Sequence, residues 1–237
     1  MAAAAAITAY PLCGQDPPAT QTAPQLPTPP VPAALSFVVV IDPAHGGGDS
    51  GARGATGTLE KDVVLVFARV LRTELQRQGL QVVLTRESDT DRSLDDRAAV
   101  GNAPRHGIFI SLHVASLGPA EAARAYFFPA PPEQGESVAR TARLVPWERA
   151  QEAFAAQSRR LAELVQVQLA QKLRGSVEVP AAATVRQLRI VAAPAIAVEV
   201  SNIAAERKAL EQRAPALAEA IARGVAAFLP VYREGAR

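Results

Sequence analysis

A single cysteine, Cys13, in 237 residues excludes an intrachain disulfide framework and any cysteine-based zinc cluster. A transition metal would have to be held by histidine and carboxylate, and the only histidines are His45, His106 and His113. Strong charge is missing too. The formal net charge is +2, and the arginines behind the basic pI are spread along helical stretches rather than gathered into a tract interleaved with aromatics. The electrostatic footprint of a nucleic-acid binder is therefore absent. No apolar run approaches the roughly 20 residues that span a bilayer, so no transmembrane helix is expected. Nor is there an internal repeat or a second globular domain.

What is present falls into three segments. Residues 1–15 are Ala-rich and resemble the apolar part of an export signal without its positively charged start. Pro-Leu-Cys13-Gly is a poor version of a lipoprotein cleavage box, since small residues should precede the cysteine. Residues 16–35 are rich in Pro, Ala and Thr, a composition that removes backbone donors and favours extended polyproline II, hence a disordered linker. Residues 36–232 carry the periodicities of one catalytic-sized domain.

Within that domain, Phe37 to Ile41 is an unbroken β-forming run that reads as a strand buried on both faces. It leads directly into Asp42-Pro43-Ala44-His45 and a glycine-rich turn. Apolar spacing predicts a helix from Asp62 stopped by Gly79, then a strand over 80–85. A short helix over 93–102 opens on Ser93, with Asp95 and Asp96 in its first turn. Strands follow over 107–113 and 124–129, then a surface loop to Pro146. One long helix is expected from Trp147 to Leu173, ended by Gly175. Short strands are predicted at 177–179 and 188–191, a buried strand at 195–200 and a closing helix over 215–229. Strands alternating with helices predict an α/β fold: a three-layer α/β/α sandwich with a mostly parallel, mixed central sheet.

Three of these strands end in residues that can carry chemistry: His45, His113 and Glu199. In a mostly parallel sheet, strand ends of one polarity share an edge, and Glu60 opens the segment feeding the first helix from that edge. Two histidines and a carboxylate are the ligand set of a hydrolytic zinc site with an open position, and a further carboxylate supplies a base. Blander roles exist for each residue taken alone. His45 would serve as a turn residue, His113 as a core histidine and Glu60 as a first-turn acid facing the helix dipole. Glu199 is harder to dismiss, because an unpaired buried carboxylate is costly. His106 reads as a surface residue, Arg97 and Asn102 as helix stabilisers, and Trp147 as core. The run from Gly46 to Gly51 satisfies the dinucleotide pattern G-x-G-x-x-G, but the helix that should open within those glycines waits until about Glu60, so the nucleotide reading fails.

Six stretches in order carry a resemblance. Val-Val-Ile-Asp42-Pro-Ala-His45-Gly-Gly, Leu59-Glu60-Lys-Asp-Val, Val-Leu-Thr-Arg86, Ser-Leu-Asp-Asp-Arg97-Ala, Ile-Ser-Leu-His113-Val-Ala and Pro194-Ala-Ile-Ala-Val-Glu199 resemble the zinc-dependent N-acetylmuramoyl-L-alanine amidases of the amidase_3 class. The resemblance implies a zinc-exopeptidase/amidase-like fold and a Zn2+ ion bound by His45, Glu60 and His113. It also implies Glu199 as the catalytic carboxylate, with Asp42 supporting the site from behind the ligands. The implied reaction is hydrolysis of the amide between N-acetylmuramic acid and L-alanine of the peptidoglycan stem peptide. That places the protein outside the cytoplasm, in the periplasm or cell envelope. An activating protein partner is compatible with this and leaves no mark in the sequence. Ala44 stands where the family usually has glycine, and Val200 follows Glu199 where Gly-Phe is usual, which shortens that rim. The gap after Ala115 is too short for the inhibitory helix that some relatives insert there. Two other readings stay open: a related zinc hydrolase with another peptide or amide substrate, and a non-catalytic peptidoglycan-binding module. Retention of all four residues speaks against the second.

Overall fold

The computed structural model describes residues 37–129 and 146–235; the signal-like segment, the linker and most of the expected 129–146 loop lie outside the described residues. The element order is β1 (Val38–Pro43), α1 (Glu60–Arg77), β2 (Gln81–Leu84), α2 (Leu94–Asn102), β3 (Gly107–Val114) and β4 (Ala123–Phe127). A 3-10 helix (Trp147–Phe154), α3 (Ala155–Lys172), β5 (Ala181–Ala182), α4 (Arg186–Arg189), β6 (Ala195–Val200), α5 (Arg207–Glu211) and α6 (Ala214–Gly235) follow.

The strands form one six-stranded sheet in the order β2-β1-β3-β6-β4-β5. Neighbours from β2 to β6 are parallel, and β4 runs antiparallel to β6. The mixed α/β sandwich is the expected one. Period-two alternation then divides labour between the faces. Val39, Ile41, Ile108, Ile110, Ile196 and Val198 pack against α1, α3 and α6 in the main core. The opposite face is apolar only in its first half, where Val40, Phe109 and Ala195 meet Leu188 and Val191. Toward the strand ends the same face turns polar, at Asp42, Ser111, His113 and Glu199. The both-face burial read from β1 thus holds from Val39 to Ile41, while Phe37 and Val38 are only partly buried, and the site occupies the remaining half-face.

Several boundaries differ from expectation. The segment after Pro146 begins as a 3-10 helix and becomes α-helical only at Ala155. Trp147 is 49% exposed instead of core. No strand forms at 177–179, where Val177 and Val179 are exposed, and Leu188 and Val191 are buried by α4 and the turn after it. A short alternating run does not distinguish these outcomes without its tertiary partners. The closing helix runs past Pro230 to Gly235, where Tyr232 packs its ring 5.0 Å from that of Phe37. The stretch 207–233 is, contrary to expectation, long and apolar enough to cross a bilayer by length and composition, but half of its most apolar window is buried. Leu217, Ile221, Val225 and Phe228 fill the core there.

Candidate metal centre

Parallel pairing sets the register. Asp42 on β1 lies beside Ser111 on β3, and His113 lies beside Glu199 on β6. His45 lies just beyond β1 and itself adopts φ of 62°, unusual outside glycine. Glu60, the first residue of α1, is 4% exposed and points back under the loop. One nitrogen from each of His45 and His113 and one oxygen of Glu60 lie within 4.8 Å of one another, which makes the three a possible metal-binding group. The loop must fold closely for this. A Cβ on Gly51 would stand 2.6 Å from both Glu60 Oε2 and His45 Cδ2, and the residue's φ is +62°. Only glycine satisfies both demands.

Each of the three side chains is held by further partners. His45 Nδ1 pairs with Asp49 Oδ2 at 2.8 Å, leaving Nε2 toward Glu60 Oε1 at 3.2 Å. His113 presents Nδ1 to the same oxygen at 3.1 Å, and its Nε2 lies 3.3 Å from Ser111 Oγ. Ser111 in turn donates to Asp42 Oδ2 at 2.9 Å. Asp42, 2% exposed, also accepts from Thr85 Oγ1 at 2.5 Å and Arg97 Nη1 at 2.7 Å. Glu60 accepts from the Val114 N–H at 2.9 Å and the Ala52 N–H at 2.8 Å. Burial alone would raise its pKa, but His113, His45 and those two amides outweigh burial and hold the carboxyl far below the usual range. The Glu60 hydrogen bond, followed by Asp49, raises His45 above its ordinary 6.5 against the opposing effect of burial.

A mixed imidazole and carboxylate donor set, with each imidazole oriented by a further partner, suits a hydrolytic metal such as zinc. Glu199 sits one strand across from His113 on the same face. Tyr126 lines the cleft beside both, and burial, then the Glu199 carboxylate, raises its hydroxyl pKa. His106 stands apart; its backbone carbonyl accepts from the Val38 N–H.

Two arginines do more than their local sequence suggests. Arg97, expected only to stabilise its helix, reaches across to Asp42, the Pro43 carbonyl (2.9 Å) and the His45 carbonyl (2.6 Å). Arg86 is 2% exposed and donates to the carbonyls of Pro43, Ala44, Lys61 and Ser88. Both stand in stretches that carried the resemblance, the one available signal. Asn102 does more than end α2: it bonds Ile190 and Ala192, fixing the segment after α4.

A sequence model described as N-acetylmuramoyl-L-alanine amidase (Amidase_3) matches residues 39–227. The chain is 41% identical over 91 residues to the N-acetylmuramoyl-L-alanine amidase AmiA of Escherichia coli K12, a stretch that is 38% of this chain and 32% of that relative. The match thus spans about a third of the curated relative's own length. Among solved structures, an N-acetylmuramoyl-L-alanine amidase from Clostridium difficile 630 is similar at 26% identity and a TM-score of 0.67, over 83% of this chain and 98% of that one. The amidase AmiC2 of Nostoc punctiforme is similar at 28% identity and a TM-score of 0.63, over 82% and 97% of the two chains.

Proposed function

The chain belongs to the N-acetylmuramoyl-L-alanine amidase family, and on that premise we propose that it hydrolyses the amide between N-acetylmuramic acid and L-alanine of the peptidoglycan stem peptide, using zinc. The observation that carries the reading is the convergence of His45, Glu60 and His113 with Glu199 one strand away on the same sheet face. His45 Nε2, Glu60 Oε1 and His113 Nδ1 would hold the ion. Zinc supplies Lewis acidity to the scissile carbonyl and to the attacking water. Glu199 takes the proton from that water as it attacks, then returns it to the departing amine nitrogen. Asp49 and the Asp42–Ser111 pair keep the two imidazoles aimed, and Arg97 keeps Asp42 in place. The substrate lies outside the cytoplasmic membrane, so the site of action is extracytoplasmic, in keeping with a signal-like start.

The test is digestion of purified sacculi by the zinc-loaded protein, with products read by mass spectrometry. Free stem peptides bearing an L-alanine amino terminus are expected, and Glu199→Ala should stop their release while bound zinc is retained. Cleavage inside the peptide instead would point to a related zinc hydrolase. Binding without any cleavage would leave only a wall-binding module.

A further inference from the structure

The row across the sheet does not stop at Glu199. Antiparallel pairing sets Arg124 of β4 directly opposite Glu199, as parallel pairing sets His113 on its other side. Paired residues on neighbouring strands project from the same face, so the order is metal ligand, carboxylate, guanidinium. Beyond Glu199 the surface continues as a groove whose lining includes Tyr126, Arg124, Ser176, Ser201 and Leu117. The substrate path therefore has an extension on the β4 side.

Arg124 is poorly provided for. Its Nε is shut off from solvent and has no hydrogen-bond partner among the described residues. The guanidinium carbon stands 5.9 Å from the centre of the Tyr126 ring, a contact that steadies the head but accepts no hydrogen bond from its N–H groups. A buried donor left unpaired is expensive and rare in native proteins. A planar guanidinium is built for two-pronged recognition of a carboxylate. We propose that Arg124 is the anchor for a free carboxylate on the leaving-peptide side of the scissile bond, making the protein selective for stem peptides whose second residue keeps its α-carboxylate over those in which it is amidated.

The distances agree. An extended chain covers ~3.5 Å per residue, which puts a carboxylate on the second residue roughly 7 Å from the scissile nitrogen. Arg124 is two strand spacings from His113, roughly 10 Å, and its own side chain spans the remainder. The inference rests on the amidase reading for a peptide as the substrate, and on the groove beside Glu199 and the guanidinium that lines it for the side the peptide takes and the charge of its ligand.

Two measurements separate the inference from that reading. The first is calorimetric binding of L-alanyl-γ-D-glutamate and L-alanyl-D-isoglutamine to the zinc-loaded full chain. The second is kcat and KM on the corresponding muramoyl dipeptides. The wild type should favour the free acid in both, by about 10- to 100-fold, the range of a charge-assisted hydrogen bond. Arg124→Gln should erase most of that preference, and Arg124→Lys, which keeps the charge without the fork, should restore part of it. Equal binding of acid and amide by the wild type overturns the proposal and needs no variant to fold. Equal loss of kcat on both forms in Arg124→Gln, with selectivity intact, also overturns it and makes Arg124 a positioning residue for Glu199. Arg124-dependent preference for the acid peptide without hydrolysis of either muramoyl compound would uphold the anchor and reject the amidase reading.

Discussion

On the β1–β3 side of the cleft, His45 pairs with Asp49, His113 reaches Asp42 through Ser111, and Glu60 takes two backbone N–H groups. On the β6–β4 side, Glu199 has Tyr126 for company, and the Nε of Arg124 is without a partner among the described residues. The supports behind His113 are buried, with Asp42 and Arg97 at 2% and 4% exposure, whereas Asp49 beside His45 stands at the rim with its side chain 63% exposed. On the proposed amidase reading the contrast separates two duties. A metal cage gains affinity when its donors are fixed beforehand, because little ordering remains to be done on binding. Groups that engage substrate gain from staying incompletely satisfied until it arrives, since new contacts then strengthen along the reaction.

The largest expected effect separates the two sides directly. Glu199→Gln should lower turnover by about 100- to 10,000-fold, the usual contribution of a general base, with metal content and melting temperature unchanged. His113→Ala should lose activity and metal together. Loss of metal in both variants would mean that Glu199 belongs to the cage and that the division is wrong. Next in size is Arg97→Leu. Removing it leaves Asp42 a buried unpaired carboxylate, at a cost of about 3–5 kcal/mol in chemical denaturation. Metal affinity should fall about 10- to 100-fold as the support of His113 loosens. Asp42→Asn on top of Arg97→Leu should recover part of the stability, because no bare charge remains. An additive double variant would contradict a coupled pair.

Arg97 also marks where sequence reading stops. That His45, Glu60, His113 and Glu199 come together was legible because each sits at a strand end or helix start on one edge of the sheet. The main sheet was legible from its periodicity. Nothing local in Ser93-Leu-Asp-Asp-Arg97 shows that the guanidinium crosses to Asp42, 55 residues earlier. Long side chains of that kind take their roles from tertiary neighbours. Arg124 was equally opaque, since its place opposite Glu199 depends on β4 running antiparallel. The strands expected at 177–179 and 188–191 failed from the opposite cause, too few residues to outvote the context. Ser93, by contrast, needed only its own turn: its hydroxyl accepts from the Asp96 N–H at 3.1 Å.

The third prediction concerns protons and bears on the cage alone. In the metal-free protein, Glu60 first and Asp49 second raise His45 above 6.5. A raised folded value means that this stabilisation is present below the unfolded pKa and is lost as pH rises through the folded one. Metal must displace the same proton, so uptake should weaken as pH falls through that raised value. Calorimetric titration of metal in buffers of different ionisation enthalpy should find more protons released per ion near pH 6.5 than near pH 8. Equal release at both would show that the two carboxylates do not hold an extra proton on His45.

The smallest effect is expected where the wiring reaches the surface. Asp89 accepts from the Gly47 N–H and from Lys61 Nζ, each at 2.7 Å, and Lys61 Nζ also donates to the Gly47 carbonyl at 2.8 Å. This clamp holds the glycine turn next to His45, but the Asp89 side chain is 47% exposed, so water and salt screen it. Lys61, then the Gly47 amide, lowers the Asp89 carboxyl below its ordinary 3.8. A depressed folded value means the stabilisation is present above the unfolded pKa and lost as pH falls through the folded one. At neutral pH the clamp is therefore fully engaged. Asp89→Ala should speed metal release to a competing chelator only slightly, and less in high salt. Asp89→Asn, which keeps an acceptor for Gly47, should do less still. If Asp89→Ala instead released metal as readily as Arg97→Leu, the cage would depend on its exposed rim as much as on its buried supports, and the contrast between the two sides of the cleft would not be one of burial.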